Sequence, residues 1–144
     1  MMRRMMLVGR SESGKTSLTQ ALRGERIQYS KTQSISYHDV IIDTPGEYAE
    51  NKDLSAALAV YSYEADIIGL LISATEPYSL YPPNVTGCVN REVIGIVTKV
   101  DKEEGDPAQA ETWLRLTGCQ RVFHVSSITG EGVDQLLSYL VMEP

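Results

Sequence analysis

Residues 9–16, GRSESGKT, set two glycines around four small or polar residues and end in a lysine and a threonine. The spacing G-x-x-x-x-G-K-S/T is that of a phosphate-binding loop. Its glycines let backbone N–H groups close around an anion, and its lysine adds a point charge. Such a loop works where a strand ends and a helix begins, because the amides of the first helical turn must face the anion. The flanks meet that condition: the apolar run MMLV from Met5 precedes the loop, and residues 16–23 can form a helix closed by Gly24. This feature alone commits the chain to an α/β architecture.

The remaining sequence repeats the pattern. Four further apolar runs, VII from Val40, IIGLLI from Ile67, VIGIV from Val93 and VFHV from Val122, have the length and β-branched content of buried parallel strands. Helical stretches are expected at 51–63, at 108–116 opened by Asp106-Pro107 and closed by Gly118, and at 133–141. Alternating strands and helices predict a three-layer α/β sandwich with a mostly parallel, five- or six-stranded sheet. At 144 residues, the chain is expected to form a single domain over 1–144. The segment 76–92, EPYSLYPPNVTGCVNRE, breaks the alternation, since Pro82 and Pro83 cannot sit inside a helix; it reads as a surface connector, with a partner-facing loop as the alternative.

Composition narrows the class of protein. With 42% hydrophobic and 22% charged residues, the chain has the make-up of a soluble globular domain. A net charge of -6 gives no general affinity for nucleic acid or an anionic membrane. The apolar stretch after Arg3-Arg4 stops at Gly9, too short for a secretory signal, and the longest apolar run, from Ile67, is too short to span a membrane. A cytoplasmic location is expected. Cys88 and Cys119 form no C-x-x-C pair and read as reduced structural thiols, and His38 and His124 are not spaced as a metal or nucleophile set. Trp113 and the eight tyrosines lack basic interleaving, so no nucleic-acid stacking surface is expected.

In doubly wound folds the ligand lies beyond the carboxyl ends of the strands, and four of the five apolar runs end in a polar motif there. GRSESGKT follows the first run. DTPGEY (Asp43 to Tyr48) follows the second, TKVD (Thr98 to Asp101) the fourth, and SSITGEG (Ser126 to Gly132) the fifth. Lys15 is expected at the β- and γ-phosphates, with Gly9, Arg10, Ser11, Glu12, Ser13, Gly14, Thr16 and Ser17 around the same phosphates. The Thr16 hydroxyl is expected on Mg²⁺, as is Asp43 through a water, while Gly46 can turn its amide toward a γ-phosphate. In TKVD, Asp101 can accept two hydrogen bonds from the N–H and amino groups of guanine, and the Lys99 stem can cover the ring. Adenine offers no such pair of donors. D-x-x-G and T-K-x-D are ordinary turn sequences when isolated; their placement after buried strands gives them weight.

Taken in order, these motifs resemble those of the small P-loop GTPases over nearly the whole chain. The resemblance implies that Ser126, Ser127 and Ile128 form the last base-contacting loop. Ile128 stands where a lysine is common, leaving an apolar ring contact, and Thr98 stands where an asparagine is commoner. KTQ at Lys31 to Gln33, together with DTPGEY, is similar to the GTPase-like proteins of ethanolamine and propanediol utilisation encoded with bacterial microcompartments. The interval from Gly9 to Asp43 is short for a Ras-like protein, which implies a trimmed G domain. The resemblance makes Thr32 the switch threonine at Mg²⁺ and γ-phosphate, with Ser34 as its rival. Its implied partner is a microcompartment shell or cargo protein.

Glu47 occupies the position where many GTPases carry a water-orienting glutamine, so slow unaided GTP hydrolysis to GDP is expected, with Lys15, Thr32 and Glu47 as the catalytic set. Glu12 must point away from the phosphates, and Arg10 packs or pairs away from them rather than serving as an arginine finger. Two other functions fit the same loop: an ATP-dependent kinase for a small carboxylate such as acetate, and an interaction module that binds nucleotide for structure only.

Overall fold

The computed structural model describes residues 4–9, 13–22, 24, 41–43, 65–79, 81 and 83–140. Strand β1 (Met5–Val8) leads to helix α1 (residues 15–22, with 24), and β2 (Ile41–Asp43) and β3 (Ile67–Ser73) follow. A short 3₁₀ turn (Val85–Cys88) precedes β4 (Glu92–Thr98), α2 (Pro107–Leu116), β5 (Val122–His124) and α3 (Val133–Leu140). The helix expected at 51–63 lies outside the described residues.

The five strands form one sheet in the order β2-β1-β3-β4-β5, and every pairing is parallel. β1 is therefore an interior strand, next to the edge strand β2. Met5 pairs with Ile41 on one side and Ile67 on the other, so the phosphate-loop sequence leaves the sheet between two neighbours.

Alternation along the strands splits the core into two layers. Met5, Leu7, Ile67, Leu71, Ile94 and Ile96 face α1 and α3, where Leu18, Leu22, Leu136, Leu137 and Leu140 cover them. Met6, Val8, Ile68, Leu70, Ile72 and Val97 face the opposite side, packed under Ala110 and Leu114 of α2 together with Tyr81 and Val85. Each buried strand is apolar on both faces because each face has a helical layer to cover, which is why the strands read as unbroken apolar runs.

Local signals set the ends of α2. The Asp106 side chain accepts from the Gln109 amide at 3.1 Å, Pro107 occupies the first turn where its missing N–H costs nothing, and Gly118 at φ 109° follows the cap. Across the sheet edge, Glu111 of α2 receives Arg115 Nε at 2.8 Å and meets His124 Nε2 at 2.6 Å. Those contacts hold the Glu111 carboxyl below its ordinary range, with the His124 hydrogen bond contributing most and Arg115 next. His124 is thus a paired structural histidine. Cys119 is a free, buried thiol whose pKa burial pushes up; the Cys88 side chain lies outside the described residues. No described helix is long and apolar enough to cross a membrane.

Candidate nucleotide site

The carboxyl ends of β1, β4 and β5 bring together residues far apart in sequence. Gly14 stands at φ 100°, a left-handed conformation that only glycine adopts without strain, and its carbonyl accepts the Leu18 amide at 2.9 Å as the first bond of α1. Lys15 follows, 8% exposed, with Nζ on the Gly9 carbonyl at 2.9 Å. The lysine is folded back over the loop rather than extended into solvent, so its charge stays in the hollow where an anion would sit. Thr16 and Ser17 lie exposed on the first turn of α1.

Two features fit this hollow to a phosphate. Ser13 is fully buried, and its Oγ has no hydrogen-bond partner among the described residues, an arrangement that costs free energy unless a ligand supplies one. Space is also kept clear at Gly9, where an added Cβ would stand 2.5 Å from Ser13 Oγ.

The second half of the site is tied to the first by Thr98. Its Oγ1 donates to the Ser13 carbonyl at 2.5 Å, and the side chain lies against Gly14, 3.3 Å from where a Cβ there would sit. The link between the TKVD motif and the phosphate loop, which a threonine shortens relative to the commoner asparagine, is therefore made. Lys99 leaves β4 at φ 59°, an uncommon conformation for a residue with a side chain, and turns the chain so that Asp101 faces the β5 loop. There the buried Ser126 donates from Oγ to Asp101 Oδ1 at 2.8 Å and accepts the Thr129 amide at 3.1 Å. A carboxylate has about four acceptor positions, and Ser126 takes one while fixing the group's orientation. Ser127 is half-buried beside it, and Ile128 is 76% exposed, an apolar surface at the tip of the loop.

The structure thus gathers Gly9, Ser13, Gly14, Lys15, Thr98, Asp101 and Ser126 at one end of the sheet. Arg10, Ser11, Glu12, Thr32, Ser34, Gly46 and Glu47 lie outside the described residues. Asp43 closes β2 opposite Leu7, but its side chain also lies outside them. One residue at this end escaped sequence reasoning. Tyr81, from the proline-rich segment, hydrogen-bonds to the Val8 carbonyl at the end of β1 and to the Leu71 carbonyl of β3, at the root of the loop. Nothing distinguishes it locally from the other tyrosines. A cavity of about 440 Å³ lined by Thr86, Arg91, Gln120 and Arg121 opens at the opposite, amino end of β4 and β5.

The family model described as ethanolamine utilisation - propanediol utilisation matches residues 2–142. The propanediol utilization protein PduV of Citrobacter freundii is 47% identical over 140 residues, covering 96% of this chain and 93% of its own. The probable acetate kinase EutP of Escherichia coli K12 is 32% identical over 142 residues, covering 96% and 89%. The GTPase Era of Mycobacterium bovis is 29% identical over 160 residues, which span 93% of this chain but 53% of Era. Among solved structures, apo translation elongation factor SelB from Methanococcus maripaludis superposes with a TM-score of 0.62 at 19% identity, covering 96% of this chain and 32% of that one. The SelB match shows that the two proteins share a fold, and with a matching family model and a 47% identical relative the chain belongs to the ethanolamine and propanediol utilisation (PduV–EutP) family.

Proposed function

We propose that this protein binds guanine nucleotide with Mg²⁺ and acts as a slow GTPase or nucleotide switch in ethanolamine or propanediol utilisation. One observation carries the reading: the carboxylate that would read guanine, Asp101, is oriented by Ser126 on one strand end, and its motif is bonded through Thr98 to the phosphate loop. A base-reading group and a phosphate cradle joined by one hydrogen bond are what simultaneous recognition of both ends of a nucleotide requires. Discrimination follows from Asp101, because adenine opposite it leaves the carboxylate unpaired, at a cost of a few kcal/mol.

Lys15, the loop amides and the Ser13 hydroxyl would bind the phosphates; Thr16, Thr32 and Asp43 would hold Mg²⁺, which when bound neutralises charge on the β- and γ-phosphates. Lys99 would cover one face of the base and Ile128 the other with apolar contact. Thr32 and Gly46 would sense the γ-phosphate, and Glu47 would sit near the attacking water. In keeping with the family, a microcompartment shell or cargo protein is the partner class, met in the cytoplasm.

The name of the Escherichia coli relative supports a second reading, an ATP-dependent acetate kinase. Equilibrium binding of GDP, GTP, ADP and ATP with Mg²⁺, repeated with Asp101→Asn, separates the two. Guanine preference that disappears in Asp101→Asn is expected. Equal or adenine-favouring binding, joined to acetate-dependent nucleotide consumption, would replace the first reading by the second.

A further inference from the structure

Segment 76–92 is more than a surface connector. At its centre Tyr81, 9% exposed, sets its hydroxyl 2.9 Å from the Val8 carbonyl and 2.8 Å from the Leu71 carbonyl. A phenol has one proton, so the hydroxyl is shared between β1 and β3 rather than committed to either. The register pairs Val8 with Leu70, which puts this bridge on the last rung of the β1–β3 ladder, one residue before Gly9. Gly9 in turn lies close against Leu71, whose Cβ is 3.1 Å from where a Cβ on Gly9 would stand, and the Gly9 carbonyl receives Lys15 Nζ. An unbroken line of contacts runs from the Tyr81 hydroxyl through the 8–9 peptide to the Lys15 ammonium.

We propose that Tyr81 is a positioning residue for the phosphate loop: it fixes the gap between β1 and β3 where the loop leaves the sheet, and through it segment 76–92 sets the loop's affinity for phosphate. The far end of the segment is anchored separately. The Asn84 amide donates to Leu116 at 2.9 Å, and Thr86 donates to the Thr117 carbonyl from its amide at 3.1 Å and its hydroxyl at 2.8 Å. The segment is a strap from the end of α2 to the root of the loop. Its outer surface includes Tyr78, 51% exposed, so a force applied there has a route to Lys15. Burial, with the nearby Glu76 charge, pushes the Tyr81 phenol upward in pKa, and it remains a donor throughout the working pH range.

This inference rests on the nucleotide-binding reading for its affinity effect, and its test has an arm that does not. Tyr81→Phe keeps the ring and removes the bridge. Val85→Ala disturbs the same apolar layer and leaves the Tyr81 bridge to the Val8 and Leu71 carbonyls in place. Without nucleotide, amide hydrogen exchange at residues 8, 9 and 13–15 is expected to quicken by about fivefold or more in Tyr81→Phe relative to both wild type and Val85→Ala. With Mg²⁺ and GTP, Tyr81→Phe is expected to bind about three- to tenfold more weakly, while Val85→Ala lowers the unfolding midpoint and leaves the Kd in place. Unchanged exchange at those amides, an equal change in Val85→Ala, or faster exchange with unaltered GTP affinity would each overturn the proposal. If the wild type binds no guanine nucleotide, the functional reading fails and the exchange comparison alone decides the role of Tyr81.

Discussion

Replacing Thr98 by valine tests whether the two halves of the site are coupled. Valine nearly conserves volume, so no cavity opens. What changes is the hydroxyl: the Ser13 carbonyl, which accepts it at 2.5 Å, loses its donor in a buried setting. An unsatisfied buried acceptor costs about 1–3 kcal/mol. The upper half of that range is expected, because a methyl carbon cannot approach a carbonyl oxygen as closely as a hydroxyl and residues 13–14 must give way. For a domain of this size about 2 kcal/mol lowers Tm by roughly 6–10 °C, and urea unfolding at 25 °C should show it as a lower midpoint at unchanged m. The displaced loop also bears on the ligand. If about 1.4 kcal/mol of the strain persists in the complex, affinity for fluorescent GDP falls about tenfold. Thr98→Ser, which retains the hydroxyl, should recover most of the affinity. Thr98→Val with wild-type affinity and a stability loss below about 0.5 kcal/mol would refute the coupling, and with it the main support for joint recognition of base and phosphate.

Three further outcomes are expected. Ser13→Ala removes a buried hydroxyl that lacks a partner, so without nucleotide it should stabilise the fold by about 0.5–1 kcal/mol in chemical denaturation while weakening phosphate binding; a destabilisation beyond about 1 kcal/mol would show that the hydroxyl is already bonded. Glu111 has its pKa lowered in the folded state, so its contribution is full above the unfolded carboxylate value of 4.5 and is lost as pH falls through the depressed folded value; the Tm gap between wild type and Glu111→Gln should close as the pH is taken below 4.5, and a gap independent of pH would refute the assignment. In the proposed reading Glu47 would stand beside the γ-phosphate and be opposed by about 4 kcal/mol at about 4 Å and an effective dielectric of about 20, so wild-type turnover should stay below about 1 per second and Glu47→Gln should raise it about tenfold; an unchanged or slower rate in a phosphate-release assay would remove Glu47 from the reaction.

Much of this was legible in the sequence because the signals were local. The five apolar runs became the five strands, with both faces of β1, β3 and β4 buried under the flanking layers, and the polar motifs after four of the runs mark the carboxyl ends where a doubly wound sheet binds its ligand. Gly14 and Lys15 were singled out by the spacing of the loop, and Asp101 by a short motif placed after a buried strand. What remained hidden is set by pairs distant in sequence. The Thr98 hydroxyl reaches Ser13 across 85 positions, and Tyr81 reaches Val8 across 73; no local pattern encodes either. The Glu111–His124 pair joins a helix to an edge strand, and sequence offers only a histidine without ligand spacing. Segment 76–92 read as a connector because two prolines and turn residues dominate it, while one tyrosine decides its role.

The position of β1 has a consequence in time. The strand that carries the phosphate loop is made first, yet it is held between β2 and β3 and roofed by α1, whose apolar face shares its core with α3 at residues 133–140. A growing chain that has reached residue 60 contains the whole loop sequence with α1 and β2, but neither β3 nor α3. Parallel pairing across such separations is intrinsically slow, since the loop-closure entropy is met before any contact forms. The nucleotide site is therefore among the last parts of the molecule to mature, and damage to the final helix is felt at the first loop.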